Sequence, residues 1–106
     1  ELARLPPPEP VPFPVPRWIE RVVRLEERVP VRLEGGGSPI LVGDQDQLEQ
    51  ALLNLLRNAA DAALEGGGHV TLRWRVRGDE LIVTVEDDGP GLAGASSLFV
   101  PLFTTK

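Results

Sequence analysis

A line of amide and carboxylate side chains runs along one face of a helix that the sequence predicts over residues 44–65. At 100° per residue these side chains fall within about 80° of one another: Gln47, Gln50, Asn54, Asn58 and Asp61. Asn costs a helix roughly 0.5 kcal/mol or more relative to Ala, so two Asn one turn apart need a reason. One explanation is a polar layer bonded to neighbouring backbone, and the other is a ligand site. An amide oxygen is a hard, neutral donor that suits Mg²⁺, and the helix alone leaves both explanations open.

A second candidate site is the run Asp87-Asp88-Gly89-Pro90-Gly91, which follows a predicted strand. A carboxylate at the end of a strand can accept hydrogen bonds, and glycines let the backbone approach a ligand closely. Taken alone, the run is equally typical of a Pro-Gly turn flanked by capping acids. Its position about thirty residues after the two Asn, with a predicted β-hairpin between, favours a shared ligand site.

Composition excludes several kinds of site. The chain has no cysteine, which rules out disulfides, Cys-based zinc sites and a thiol nucleophile, and its single histidine rules out a multi-histidine metal centre. The net charge of −5, with Arg scattered among acids, argues against nucleic acid as a partner. No apolar run approaches the ~18 residues of a membrane span, so we expect one soluble globular domain. His69 follows a glycine turn and is interpreted as an ordinary polar residue, not a phosphoacceptor.

The periodicity predicts the elements that would position these residues. Leu and Ala recur every three or four residues through the 44–65 helix, which Asp44 or Asp46 can cap and three glycines end. Strict alternation predicts strands over 69–77 and 80–86, joined by a tight Gly78-Asp79 turn. An earlier helix is predicted over 17–29, with Trp18, Val22 and Leu25 in the core. Short strands over 31–34 and 39–42 are expected to form a hairpin around Gly35-Gly36-Gly37-Ser38, and the chain after residue 91 is expected to be irregular.

Residues 1–16 contain seven of the eleven prolines, so they are predicted to be extended and not helical. They could form a PxxP-type ligand for an aromatic groove or a stiff linker. We favour the linker and place the domain at residues 17–106.

The long helix with NLLRNAADA, the hairpin, DDGPG and LFVPLFTTK occur in an order that resembles the catalytic ATP-binding domain of bacterial sensor histidine kinases. This family belongs to the superfamily of gyrase-, chaperone- and mismatch-repair-type ATPases, and the resemblance covers residues 15–106. It implies a two-layer α/β sandwich in which helices cover one face of a mixed sheet.

The resemblance also implies roles for particular residues. Asn58 would coordinate Mg²⁺, and Asn54 would bind the metal's waters and the phosphates. Asp87 would accept the adenine amino group. Other residues implied at or near the nucleotide are Asp61, Gly89, Gly91, Thr104, Thr105 and Lys106, while Phe99 and Phe103 would anchor a lid. Asp61 stands where many family members have a basic residue, so its role and that of Arg57 stay open.

The resemblance favours a kinase over a hydrolase. The ATP-hydrolysing branches carry a glutamate at the position of Asn54, and an amide cannot act as the general base that activates water. The nucleophilic histidine, its dimerisation helices and the glycine-rich segment expected after Lys106 are not in the sequence. We therefore expect part of a larger protein, truncated before the second glycine segment and inactive alone. The run LAGASS is short and Val100 and Leu102 replace the usual Glu and Phe, which predicts a small lid.

The expected function is binding of ATP with Mg²⁺ and donation of the γ-phosphoryl group to a histidine on a separate dimerisation domain. Implied partners are that domain of the same, homodimeric protein and, indirectly, a response regulator. The domain would be cytoplasmic, with membrane anchoring of the whole protein left open. The alternatives are a protein-serine kinase of the anti-sigma type and a non-catalytic docking module with the same fold.

Overall fold

The computed structural model describes residues 11–88 and 94–102, which form a mixed α/β structure. In chain order the elements are β1 (Val11–Pro14), α1 (Val15–Val23), β2 (Val31–Glu34), β3 (Ile40–Gly43), α2 (Gln45–Gly66), β4 (Val70–Arg77), β5 (Glu80–Asp87) and β6 (Gly94–Pro101). The main sheet has the strand order β2-β4-β5-β6, and β1 pairs with β3 in a separate two-stranded sheet. Because β2 runs parallel to β4 while the other neighbours are antiparallel, the main sheet is mixed, as predicted.

Helix α2 forms as the sequence predicts. The carboxylate of Asp44 accepts hydrogen bonds from the backbone N–H groups of Asp46 at 3.0 Å and Gln47 at 3.3 Å, which caps the first turn. The helix ends where Gly67 adopts the left-handed conformation with φ of 72°, a conformation that glycine adopts without strain. Neither helix among residues 11–88 and 94–102 has the length and apolar character that crossing a membrane requires.

The core lies between α2 and one face of the main sheet. The strict alternation in β4 and β5 places their apolar side chains on this face, and the helix covers them with its own buried face. The buried residues of this layer include Leu52, Leu56, Ala60, Val70, Leu72, Leu81, Val83 and Val85. The opposite face of the sheet carries the arginines of β4, as a half-buried strand predicts.

Within the described residues, regular secondary structure begins at Val11, before the predicted domain boundary at residue 17. Residues 11–14 are extended, as expected, but they pair with β3 and place Phe13 in the core. Helix α1 then begins at Val15, not at residue 17, because Pro16 lies in its first turn, where the missing N–H group of proline is tolerated. The predicted linker over 1–16 is therefore wrong for residues 11–16, and residues 1–10 lie outside the described part of the chain.

Helix α1 also ends earlier than the predicted residue 29. It stops at Val23, and the chain turns so that Leu25 is 51% exposed, which contradicts its predicted place in the core. Trp18 and Val22 are buried as predicted, and the Trp18 ring meets the Phe13 ring edge-on at 5.7 Å. The side chain of Glu26 instead turns inward and accepts a hydrogen bond from the backbone N–H of Arg28 at 2.8 Å, so the segment closes on itself.

The predicted hairpin between β2 and β3 is wrong, because the two strands belong to different sheets. The glycines between them have a packing role instead. A Cβ atom on Gly35 would lie 2.2 Å from Cζ2 of Trp74, and one on Gly36 would lie 2.6 Å from the Trp74 carbonyl oxygen. The indole N–H of Trp74 donates to the carbonyl of Gly37 at 2.9 Å. Glycine is required at positions 35 and 36 because β4 approaches so closely.

The segment expected to be irregular after residue 91 contains strand β6. Gly94–Pro101 pairs along its whole length with β5, with Val100 buried opposite Leu81. Its first four residues, Gly-Ala-Ser-Ser, have low intrinsic strand preference, which explains why the sequence gave no signal. Backbone hydrogen bonds to the long, largely buried strand β5 stabilise β6 despite this low strand preference.

Candidate nucleotide site

The polar stripe predicted on α2 is solvent-exposed along its whole length. The buried Leu and Ala residues occupy the opposite side of the helix, so packing against the sheet fixes the direction in which the stripe points. Asn54 and Asn58 therefore present their amides to solvent one helical turn apart. This excludes a polar layer buried against neighbouring backbone and leaves two hard oxygen donors free to meet a ligand.

Asp87 is the last residue of β5 and lies on the sheet face that α2 covers, opposite Val70 and Gly94. Only 8% of its surface is exposed, and none of the ion pairs within residues 11–88 and 94–102 includes it. A Cβ atom at Gly94 would lie 3.1 Å from its Oδ2 atom, so the absence of a side chain there leaves room beside the carboxylate. Burial of a carboxylate is costly unless hydrogen-bond donors meet it, which makes Asp87 a candidate for recognition of a ligand's N–H groups.

Asp88, the residue after β5, is hydrogen-bonded to His69, the residue before β4. Its carboxylate accepts a hydrogen bond from the backbone N–H of His69, and its own N–H donates to the His69 carbonyl at 3.1 Å. The imidazole Nδ1 of His69 lies 3.7 Å from the same carboxylate and is exposed, in keeping with its interpretation as an ordinary polar residue. A cavity of about 400 Å³ opens beside this pair, lined also by Arg32 and Thr71.

The carboxylate of Asp61 forms an ion pair with Arg28, which the sequence did not indicate. This carboxylate accepts a hydrogen bond from Nη1 of Arg28 at 2.6 Å, and Nη2 of Arg28 donates to the backbone carbonyl of Arg57 at 3.3 Å. Arg28 also donates to the carboxylate of Glu26, which is 7% exposed. These hydrogen bonds from Arg28 hold the pKa of Glu26 below its ordinary value of 4.5, and the two carboxylates raise the pKa of Arg28.

Sequence reasoning missed Arg28 because it lies 33 residues before Asp61 and was assigned to the surface of a longer helix. The one available signal was the acid at position 61 beside two amides, since an acidic side chain at a predicted ligand site calls for a compensating cation. Nothing in the local pattern indicated which arginine supplies it.

Phe99, which was predicted to anchor a lid, belongs to the main sheet. It lies within β6, opposite Ile82, on the sheet face away from α2, and is 57% exposed. Strand pairing with β5 fixes this position, and the role of Phe99 as a lid anchor stays a prediction. Other predicted site residues lie outside the described residues: Gly89, Gly91, Phe103, Thr104, Thr105 and Lys106.

The described site therefore consists of two separate halves. The amide stripe of α2 faces solvent, whereas Asp87 lies on the covered face of the sheet at the end of β5. Within residues 11–88 and 94–102, no three His, Asp or Glu side chains converge in a way that could hold a metal ion. The assignment of Asn54, Asn58, Asp61 and Asp87 to one nucleotide site stays a prediction.

Two curated sensor proteins are similar to this chain in sequence. It is 38% identical over 84 residues to the sensory histidine kinase/phosphatase NtrB of Azospirillum brasilense, covering 64% of this chain and 21% of that protein. It is 40% identical over 76 residues to the C4-dicarboxylate transport sensor protein DctS of Rhodobacter capsulatus, covering 67% of this chain and 12% of that protein. The chain thus spans about a fifth or less of the length of these relatives.

Solved structures show the same fold. The catalytic domain of the histidine kinase ThkA superposes with a TM-score of 0.69 at 23% identity, covering 79% of this chain and 62% of that one. The ATP-binding domain of PrrB from Mycobacterium tuberculosis superposes with a TM-score of 0.60 at 24% identity, covering 79% and 63%. The predicted α/β architecture, with a mixed sheet and two helices, is confirmed.

Residues 43–105 match the family described as histidine kinase-, DNA gyrase B- and HSP90-like ATPases. The match covers more than half of the chain and includes α2, the β4–β5 hairpin and the sequence run from Asp87 to Gly91, which are segments on which the resemblance rested. The chain belongs to this ATPase family and is homologous to the ATP-binding domains of histidine kinases.

Proposed function

We propose that this domain binds ATP with Mg²⁺ and presents the γ-phosphoryl group to a histidine on a separate dimerisation domain of the same protein. The domain itself supplies no nucleophile. Its contribution is to position the nucleotide and to neutralise phosphate charge, which is how phosphoryl-transfer enzymes obtain most of their rate.

The observation that carries this proposal is the composition of the exposed stripe on α2. Its central positions, Asn54 and Asn58, are amides, and the carboxylate of Asp61 is hydrogen-bonded to Arg28 at 2.6 Å. A general base that activates water must be ionisable, and an amide is not. The stripe therefore favours transfer of the phosphoryl group to another acceptor over hydrolysis.

Adenine recognition is assigned to Asp87. This residue is 8% exposed, lies opposite Gly94 at the end of β5 and can accept hydrogen bonds through its carboxylate from a ligand that reaches this end of the sheet. The exocyclic amino group of adenine is such a donor. A hydrogen bond to a charged acceptor contributes about 1.5–3 kcal/mol, enough to make Asp87 decisive for affinity.

Asn58 fits Mg²⁺ by its chemistry, because its exposed amide oxygen is a hard donor and Mg²⁺ keeps several waters and takes few protein ligands. Bound there, Mg²⁺ would neutralise charge on the phosphates. Asn54, one turn earlier, would donate from its amide nitrogen to a phosphate oxygen or accept from a water. Both side chains are uncharged, so they add no negative charge beside the phosphates.

The proposed partners follow from the same reaction. The acceptor is a histidine of a dimerisation domain, and a response regulator receives the phosphoryl group afterwards. Two observations on other proteins support this: NtrB and DctS are sensor proteins by name, and ThkA has been solved in complex with the response regulator TrrA.

The first test is calorimetric titration of ATP into the chain, with and without Mg²⁺. We expect Mg²⁺-dependent binding that weakens at least about tenfold in Asp87→Ala, given the loss of a hydrogen bond to a charged group. Asn58→Ala should remove most of the dependence on Mg²⁺. Asp79→Ala, an acid in the exposed β4–β5 turn, is the matched control and should bind as the wild type does.

A second measurement identifies the acceptor. The chain is incubated with radiolabelled ATP and a separately supplied histidine-containing dimerisation domain, and the acid stability of the protein-bound phosphate is measured. Acid-labile phosphate on that domain is the expected result. Acid-stable phosphate on a protein serine would indicate the anti-sigma type instead, and failure of the wild type to bind ATP would leave a docking module.

A further inference from the structure

The pairing of Arg28 with Asp61 brings a cation from outside α2 onto the proposed phosphate-binding stripe. Arg28 lies in the segment between α1 and β2, yet its guanidinium contacts both the Asp61 carboxylate and the Arg57 carbonyl, at 2.6 and 3.3 Å. The guanidinium therefore lies against the turn of α2 that directly follows Asn58. The pair is exposed at the surface, on the side of the helix that faces away from the sheet.

The negative charge of Asp61 would weaken the binding of phosphates to this stripe unless a cation compensates it. Asp61 falls within the same arc of α2 as Asn54 and Asn58, so its carboxylate would face the phosphates and repel them. Arg28 is the described side chain that forms an ion pair with Asp61. Arg28 is itself fixed by hydrogen bonds to the nearly buried carboxylate of Glu26, which holds the guanidinium in place before a ligand arrives.

We propose that Arg28 is a positioning residue for the nucleotide, because it neutralises Asp61 and so makes the amide stripe of α2 acceptable to the phosphates of ATP. This inference rests on the proposed function. It assigns to Arg28 no contact with ATP and no chemical step, and its effect is exerted through Asp61.

The expected size of the effect follows from Coulomb's law. Mg·ATP carries about two net negative charges, and we take the Asp61 carboxylate to lie roughly 8 Å from phosphates that are bound one helical turn away. In a water-like dielectric, leaving Asp61 uncompensated should then weaken binding about fivefold. The effect should shrink at high salt, because the groups are exposed and ions screen them.

The test is titration of ATP with Mg²⁺ into four proteins: the wild type, Arg28→Ala, Asp61→Asn and the double variant. We expect Arg28→Ala to bind about fivefold more weakly, the double variant to return within twofold of the wild type, and Asp61→Asn to bind at least as tightly as the wild type. A merely structural role for Arg28 would not be rescued by Asp61→Asn, because the contact with Glu26 would still be lost.

Two further variants keep the test decisive. If Arg28→Ala unfolds because Glu26 loses its partner, Glu26→Gln/Arg28→Gln removes both charges and should show the same fivefold loss. Arg21→Ala is the matched control, since Arg21 also pairs with α2 through Glu49, at 3.1 Å, but away from the stripe. It should leave ATP affinity unchanged.

Two outcomes would overturn this inference alone, provided that the wild type binds ATP. One is an unchanged affinity for ATP in the Arg28 variants, and the other is a loss of affinity that Asp61→Asn does not rescue. Failure of the wild-type chain to bind ATP would overturn the proposed function, and this inference with it.

Discussion

Substituting Gly35 by Ala tests whether the glycine run after β2 is a packing requirement. The new Cβ would lie 2.2, 2.5 and 2.9 Å from three atoms of the Trp74 ring, where carbon atoms normally approach to about 3.5–4.0 Å. The ring must therefore move by more than 1 Å, a distance that also disturbs its 2.9 Å hydrogen bond to Gly37. The backbone of Gly35 is not in the left-handed region, so no backbone strain is added.

The expected change in the free energy of unfolding is the sum of three contributions. Overpacking costs about 1–3 kcal/mol, and the disturbed hydrogen bond adds about 0.5–1.5 kcal/mol. The smaller conformational freedom of Ala in the unfolded chain offsets about 0.4–1 kcal/mol. The free energy of unfolding should fall by about 2 kcal/mol, which for a domain of this size lowers the melting temperature by about 10 °C.

The assay is urea denaturation followed by far-ultraviolet circular dichroism, in the wild type and in a Trp74→Ala background. Without the ring, Gly35→Ala should be neutral or stabilising by about 0.5 kcal/mol, so the sign of its effect changes. Gly36→Ala is the matched control. Its Cβ would meet the Trp74 carbonyl oxygen at 2.6 Å, a backbone atom that Trp74→Ala retains, so it should destabilise both backgrounds alike. Equal effects of Gly35→Ala in the two backgrounds would refute the packing explanation.

Two further predictions concern the core and the charge cluster. Leu56→Ala should lower the free energy of unfolding by about 2–5 kcal/mol because Leu56 is fully buried, whereas Leu64→Ala, at a position 53% exposed on the same helix, should change it by about 0.5 kcal/mol or less in the same urea titration. Because Arg28 lowers the pKa of Glu26, the carboxylate stabilises the native state above pH 4.5, and this contribution is lost as the pH falls below 4.5 through the lowered pKa. The difference in melting temperature between the wild type and Glu26→Gln should therefore shrink between pH 6 and pH 3, and a constant difference would contradict the assignment.

Helix α2 and the β4–β5 hairpin could be predicted because their signals are local. The leucine and alanine period and the cap at Asp44 define the helix, and strict alternation with a Gly-Asp turn defines the hairpin. The amides at positions 54 and 58 stand out for the same reason, since a poor helix former within a strong helix is visible without knowing any partner.

What the sequence could not indicate depends on contacts between distant segments. The pairing of β2 with β4, of β1 with β3 and of β6 with β5 is a choice among strand edges, and short strands of similar propensity do not encode it. The early end of α1 also depends on contacts between segments. The Glu26 carboxylate turns inward to accept a hydrogen bond from Arg28, and Arg28 is in turn bonded to Asp61 of α2.

The sequence by itself determined the amide stripe, the acid at the end of β5 and the family to which they belong, because residue type and helical spacing are properties of the chain alone. Only the tertiary structure decided that the stripe faces solvent, that Asp87 is buried and that Arg28 compensates Asp61. Burial and ion pairing are set by which surfaces meet, and an arginine 33 residues away becomes a neighbour only when the chain folds.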